Sequence, residues 1–101
     1  MARKVVWTHE ADADLGSIAD YIAKDSTFYA AAFVREIQEA SLTLRTLSER
    51  GRIVPEVNKP TIREIFVRDY RLIYEIDESR VAVLAFIHGA RDLKKMWLKK
   101  K

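Results

Sequence analysis

Three runs of strand-forming residues, roughly Ile62–Val67, Tyr70–Ile76 and Arg80–His88, are joined by only two short connections, Arg68-Asp69 and Glu78-Ser79. Connections of that length allow little but antiparallel hairpins, so the second half of the chain is expected to form a three-stranded meander. A two-residue loop also sets a register, and a register decides which side chains share a face. Val67 is expected to pair with Tyr70, placing Phe66 opposite Arg71 and Glu64 opposite Ile73. Asp77 is expected to pair with Arg80, placing Glu75 opposite Ala82, Ile73 opposite Leu84 and Arg71 opposite Phe86.

That register gives two unlike faces. One collects Ile65, Val67, Tyr70, Leu72, Tyr74, Ile76, Val81, Val83, Ala85 and Ile87 and is almost purely apolar, as a core face should be. The other collects Ile62, Glu64, Phe66, Arg71, Ile73, Glu75, Ala82, Leu84, Phe86 and His88, with charges set among apolar groups.

The first half reads as one short strand and two helices. Val5, Val6 and Trp7 favour a strand. Thr8 is placed to cap a helix, with Glu10 and Asp12 in its first turn, where the helix dipole favours acids. Ala11, Leu15, Ile18 and Ile22 form its apolar stripe, ending near Lys24. Asp25-Ser26 offers the next cap, and Phe33, Ile37, Ala40, Leu44 and Leu47 continue a second stripe toward Gly51, expected as the residue just past the helix. So short a link makes an antiparallel helical hairpin. Residues 51–61, with Gly51, Pro55, Asn58 and Pro60, are expected to be loop. Arg91 to Leu98 offers a last short helix before a lysine tail. The fold class is therefore α+β: a strand, a helical hairpin and a meander that completes a mainly antiparallel sheet.

The 101 residues suit a single domain, 1–101. With 49% hydrophobic and 33% charged residues the composition is globular. The longest apolar run, Val81 to Ile87, is too short to cross a bilayer. Arg3 and Lys4 lead straight into Val5-Val6-Trp7 with no apolar leader core, and there is no cysteine; no membrane association and a cytoplasmic location are expected. The net charge of +3 is unevenly spread. Residues 1–50 hold six basic and eight acidic groups, residues 51–101 twelve and seven. A basic second half suits a polyanionic or acidic partner, or a plain solvated surface with a lysine tail.

Arg71 is the residue that most invites a chemical role, a guanidinium in mid-strand flanked in the expected register by Phe66 and Phe86. The plainer alternative is a cross-strand ion pair with Glu64 or Glu75. For self-cleavage of RNA, Glu64 or His88 could act as base while Arg71 and Arg91 hold the phosphate. His88 could equally be a satisfied residue at a strand end. No metal is expected, because His9 and His88 are the only histidines and neither sits in a ligand-like spacing. Three scattered glycines make no phosphate loop, and no cofactor is expected.

The ordered set Trp7-Thr8, Ala13-Asp14-Leu15, Ile18, Asp20-Tyr21-Ile22, Gly51-Arg52, Val54-Pro55-Glu56, Arg63-Glu64-Ile65, Tyr70-Arg71-Leu72-Ile73-Tyr74 and Ile87-His88-Gly89-Ala90-Arg91 resembles the RelE/ParE superfamily of toxins from about Val5 to Arg91. The resemblance implies a growth-inhibiting toxin of a type II toxin–antitoxin module, neutralised by a small antitoxin that is partly disordered when free and that alone contacts operator DNA. The antitoxin is expected to lay apolar and acidic side chains along the helical hairpin and the basic sheet face.

RelE-like members cut messenger RNA on the ribosome with basic residues on the open sheet face. Arg71 and Arg91 match their arginines. Their lysine pair is missing, with Ile62 and Glu64 in its place, and Trp97 stands where RelE has a tyrosine. Glu64 matches the glutamate that some ribosome-dependent relatives use, whereas His88 does not match their histidine position, which corresponds better to Arg91. The segments Val54-Pro55-Glu56 and His88-Gly89-Ala90-Arg91 look more like the ParE or plasmid-stabilisation branch, whose members inhibit DNA gyrase. The resemblance thus implies a ParE-like, non-catalytic gyrase poison whose contacts include Arg63, Phe66, Arg71, Phe86, His88, Arg91 and Trp97. The alternative it implies is a ribosome-dependent endoribonuclease with Arg71, Arg91 and Glu64 as catalytic residues.

Overall fold

The computed structural model describes residues 2–91 and 93. Strand β1 (Lys4–Trp7) leads into helices α1 (His9–Ala23) and α2 (Thr27–Leu42); strands β2 (Arg52–Ile53), β3 (Ile62–Val67), β4 (Tyr70–Ile76) and β5 (Arg80–His88) follow. The five strands form one sheet in the order β1-β5-β4-β3-β2, with β1 parallel to β5 and every other pair antiparallel. The α+β class expected from the sequence is what the chain adopts.

Local chemistry explains the helix starts. The Thr8 hydroxyl accepts from the Ala11 N–H at 3.1 Å and donates to the Val83 carbonyl at 2.9 Å, so one side chain caps α1 and ties it to β5. Ser26 caps α2 by accepting from the Tyr29 N–H at 3.1 Å. The end of α2 departs from expectation. The helix stops at Leu42, not near Gly51, and two 3₁₀ turns, Thr43–Arg45 and Ser48–Arg50, carry the chain onward. Leu47 is consequently solvent-exposed rather than on a buried stripe.

Gly51 is not a helix terminator; its backbone is extended, with φ −78° and ψ 160°. It is needed because space is lacking. A Cβ there would lie 2.5 Å from both the Glu64 carbonyl oxygen and the Tyr74 hydroxyl. The Gly51 N–H instead donates to that hydroxyl at 3.0 Å, and the hydroxyl donates to the Ser48 carbonyl at 2.7 Å. Burial of the Tyr74 phenol raises its pKa. The chain then enters β2, a two-residue strand where only loop was expected, pairing Arg52 with Glu64 and Ile53 with Arg63.

The β3–β4 register is the expected one, with Phe66 opposite Arg71 and Glu64 opposite Ile73. The β4–β5 register starts as expected, Glu75 opposite Ala82, and then slips. Tyr74 pairs with Val83 but Ile73 pairs with Ala85, so Leu84 is an extra residue, a β-bulge. Past it every side chain of β5 changes face. Phe86 and His88 turn to the helix side, while Ala85 and Ile87 turn to the open side; Arg71 lies opposite Ile87, not Phe86.

Two apolar clusters result. The main core, between helices and sheet, contains Leu15, Phe33, Ile37, Leu44, Ile65, Leu72, Tyr74, Val83 and Phe86, with Ile18 and Ile22 partly buried against it. A smaller cluster on the other face gathers Val54, Ile62, Ile73, Ala85, Ile87 and Leu93. The helix expected over Arg91 to Leu98 otherwise falls outside the described residues. Among the described residues no helix is long and apolar enough to cross a membrane.

Truncating Leu72, fully buried in the main core, to alanine is expected to lower unfolding free energy by about 2–5 kcal/mol in denaturant melts. Leu47→Ala, at an exposed site, should change it by no more than about 0.5 kcal/mol. A neutral Leu72→Ala would refute the facing described above.

Candidate functional site

On the open face of the sheet, Arg71 emerges from the middle of β4 with only 4% of its surface exposed. A buried guanidinium must be matched by acceptors, and three chain segments converge to supply or complete them. From β3, Glu64 is brought near by the register and accepts from Arg71 Nε at 2.6 Å. From the turn after β2, Glu56 accepts from both terminal nitrogens, at 2.9 Å and 2.8 Å, in the two-pronged geometry that suits arginine and carboxylate. From β2, Arg52 donates its Nε to the second oxygen of Glu64 at 2.6 Å. Charges therefore alternate along the path Arg52–Glu64–Arg71–Glu56. Among the described residues no buried side-chain nitrogen or oxygen lacks a partner.

The turn that delivers Glu56 is built locally. Val54 is fully buried in the smaller cluster and anchors it. The Val57 and Asn58 N–H groups donate to the Val54 carbonyl at 3.2 Å and 2.8 Å. Asn58 takes φ 55°, a left-handed conformation that asparagine tolerates well. Arg63 braces the same segment, donating to the Pro60 carbonyl and the Gly51 carbonyl, each at 3.0 Å.

The electrostatics follow from the contacts. The two-pronged bond to Glu56, reinforced by Glu64, raises the Arg71 pKa, so the guanidinium stays charged throughout the accessible range. The same bond from Arg71 holds the Glu56 carboxyl below its ordinary value. Because Glu56 is lowered in the folded state, its contribution to stability is present above the ordinary glutamate range and is lost as pH falls through the depressed value.

The residues expected to work together are not all together. Arg71, Glu64 and Phe66 share the open face; Phe66 is 53% exposed, and the Arg52 guanidinium lies 5.2 Å from its ring centre. Phe86, expected beside Arg71 as a contact residue, is 1% exposed in the main core, stacked on Tyr70 at 5.1 Å. The bulge at Leu84 is the physical reason. His88 is likewise on the helix side, edge-on to Tyr70 at 5.7 Å, with Nδ1 accepting from the Ala90 N–H at 3.2 Å. His88 and exposed Arg91 sit with Asp14, Ser17 and Tyr70 around a cleft of about 380 Å³ between α1 and the end of β5. Asp14 accepts the Phe86 N–H at 3.0 Å there, next to where β1 ends. Trp97 lies outside the described residues.

Of the two ion pairs weighed for Arg71, that with Glu64 forms, whereas Glu75 is not a partner. Glu56 and Arg52 had no assigned part in this cluster. Arg52 sits on a strand of two residues, and Glu56 in a turn that no periodicity describes. Among the described residues no group of three or more histidine, aspartate or glutamate side chains could hold a metal ion.

Comparison with known proteins finds similarity to a toxin family, to a curated toxin and to solved structures. A family model described as the ParE toxin of type II toxin–antitoxin system, parDE, matches residues 5–93. Toxin RelE2 of Caulobacter vibrioides is 34% identical over 89 residues, which span 87% of this chain and 97% of that toxin. The solved structure of a chromosomal ParDE toxin–antitoxin system from P. aeruginosa has a chain that superimposes with a TM-score of 0.71 at 21% identity, covering 86% of this chain and 96% of that one. The last shares the fold.

Arg71→Ala is expected to destabilise the protein by about 3–5 kcal/mol in urea melts, because it leaves buried carboxylate charge without its main partner. Glu56→Ala removes a partly exposed carboxylate and leaves Arg71 its bond to Glu64, so it should cost less, about 1–3 kcal/mol. Equal small losses for both would show that the cluster does not hold the fold together.

Proposed function

Because the chain belongs to the ParE toxin family of type II toxin–antitoxin systems, we propose that it acts by binding and poisoning DNA gyrase, with no bond-making chemistry of its own. The observation that carries this reading is the state of the Arg71 cluster. A general base needs a free lone pair within reach of the substrate, and both oxygens of Glu64 are held by guanidinium groups at 1% exposure. A phosphate-holding arginine must be reachable and not already neutralised, whereas Arg71 is 4% exposed and bonds to carboxylates through Nε and both terminal nitrogens. His88 and Arg91, the other candidates, lie in a separate cleft on the helix side. Exposed Phe66 on the open face, Arg63 on the face it shares with Tyr74, and His88 and Arg91 at the cleft beside α1 are the contact residues this reading retains.

The family membership supports a cognate antitoxin as the neutralising partner, folding on the toxin and carrying any contact with operator DNA. Charge limits where its acidic side chains go. Between His9 and Leu42 the chain holds seven acidic residues and two basic ones, so acidic segments fit the strand side, not the helical hairpin. A plasmid-stabilising role and a cytoplasmic site of action, where gyrase works, belong to the same reading.

The alternative, a ribosome-dependent endoribonuclease using Arg71, Arg91 and Glu64, draws on the RelE name of the Caulobacter relative. It requires the carboxylates to leave Arg71 when RNA arrives. Purified toxin incubated with gyrase should block supercoiling or accumulate cleaved DNA, while message on ribosomes stays intact. Codon-positioned cuts in ribosome-bound message, absent with Arg71→Lys, together with unimpaired gyrase, would replace the first reading by the second.

A further inference from the structure

The arginines of this chain differ in what they hold. Arg52, Arg68, Arg71 and Arg80 bond to carboxylates, which cancel their charge locally. Arg3, Arg50 and Arg63, among the described residues, bond only to neutral oxygens. Arg3 donates to the Asp77 carbonyl at 2.8 Å and to the Ser48 hydroxyl at 3.1 Å. Arg50 donates to the Thr43 hydroxyl at 2.8 Å, and Arg63 to the carbonyls of Pro60 and Gly51. Bonds of this kind orient a guanidinium without neutralising it and leave it further N–H groups to offer. All three converge on the turns between Thr43 and Gly51. Exposed Arg45 joins them there, its carbonyl accepting from the Arg3 N–H at 2.8 Å. Arg3 and Arg50 border a depression of about 320 Å³ together with Thr46, Leu47, Ser48 and Glu49. Two acids adjoin the cluster: Glu49, and Asp77, which Arg80 already holds. Gathering like charges in fixed positions is unfavourable by itself and creates a positive field that draws an anionic partner.

We propose that this basic end seats an acidic segment of a partner protein, with an apolar side chain of that segment covering Leu47. Two observations favour a polypeptide over a nucleic acid. Leu47 borders the depression and is 58% exposed; covering it benefits an apolar side chain and gives a phosphate backbone nothing. Glu49 borders the same depression. A nucleic acid, anionic at every unit, would have to face that carboxylate, whereas a polypeptide can set a neutral residue against it. A second copy of this chain would have to offer its acidic hairpin, a head-to-tail contact that does not close on itself. The segment's carboxylates then meet Arg3, Arg45 and Arg50, whose charge no side chain of the described residues neutralises. Nothing in the seat depends on what the protein inhibits, so it stands or falls independently of the gyrase reading.

Nitrogen-15 NMR of the full chain, titrated at low salt, tests the seat with three probes: a glutamate-rich peptide carrying one leucine, the same peptide with serine for leucine, and a DNA duplex of equal charge. The leucine peptide is expected to shift the backbone signals of Arg3 and of residues 43–51. It should bind about fivefold or more tightly than the serine peptide, because only it covers Leu47. Arg45→Glu and Arg50→Glu should each weaken its binding by about tenfold or more. Leu47→Ser should abolish the preference for leucine while leaving the serine peptide bound as before. All three sites are exposed, and unchanged circular dichroism and melting will show that the variants are folded. Shifts confined to another surface, an affinity indifferent to both charge reversals, or no preference for leucine would overturn the proposal. Tighter binding of the duplex than of the peptide, lost in the same reversals, would overturn it in favour of a nucleic acid. Shifts of these signals on concentrating the protein alone would overturn it in favour of a second copy.

Discussion

A guanidinium in the middle of a central strand is the condition to which the open face of this protein is arranged. Taking Arg71 out of water is unfavourable by several kcal/mol unless its donors are met, and one carboxylate cannot meet them all. Glu64 satisfies one edge and Glu56 the other, while Arg52 balances the second oxygen of Glu64. Each partner comes from a different segment, so the cluster joins β4 to β3, to the two-residue strand β2 and to the turn after it. Without those bonds, β2 would be held by two residues of pairing, the burial of Val54 and the bonds of Gly51 to Tyr74 and Arg63.

The same arrangement bears on what the face can do. The buried charges of the cluster are all paired, so an incoming phosphate would have to compete with Glu56 and Glu64 for Arg71. What remains exposed nearby is an aromatic ring with a guanidinium over it, Phe66 and Arg52, a combination suited to contact more than to acid–base work. A fold shared with toxins of different targets says little about target by itself; the side chains on this face must decide it.

Much of the architecture was legible in the residues. Two-residue connections gave the meander, the β3–β4 register followed from the first of them, and Thr8 and Ser26 announced both helix starts through their capping hydroxyls. The half of β5 beyond Val83 was not legible, and the reason is physical. From Val81 to Ile87 every residue is apolar, so alternation carries no parity signal, and a bulge at Leu84 shifts the register without any change in residue character. The error moved Phe86 and His88 to the wrong face and so assembled a site that does not exist as drawn. The core escaped the error largely because Ala85, Phe86 and Ile87 are buried on whichever face they take. Glu56 was recognised within a resembling segment, but its bond to Arg71 depends on a turn shaped by Val54 and Asn58, which periodicity cannot describe.

The central claim, that Arg71 is locked by carboxylates on two sides, is open to direct observation by nitrogen-15 NMR of the arginine side chains. A guanidinium held on both edges should give a slowly exchanging Nε–H signal and separately resolved terminal N–H signals, because rotation about its bonds is blocked. Those signals should persist as pH is lowered through the ordinary glutamate range and collapse only below it, since Glu56 is held beneath its usual value. A single averaged, fast-exchanging signal for Arg71 at neutral pH would contradict the account.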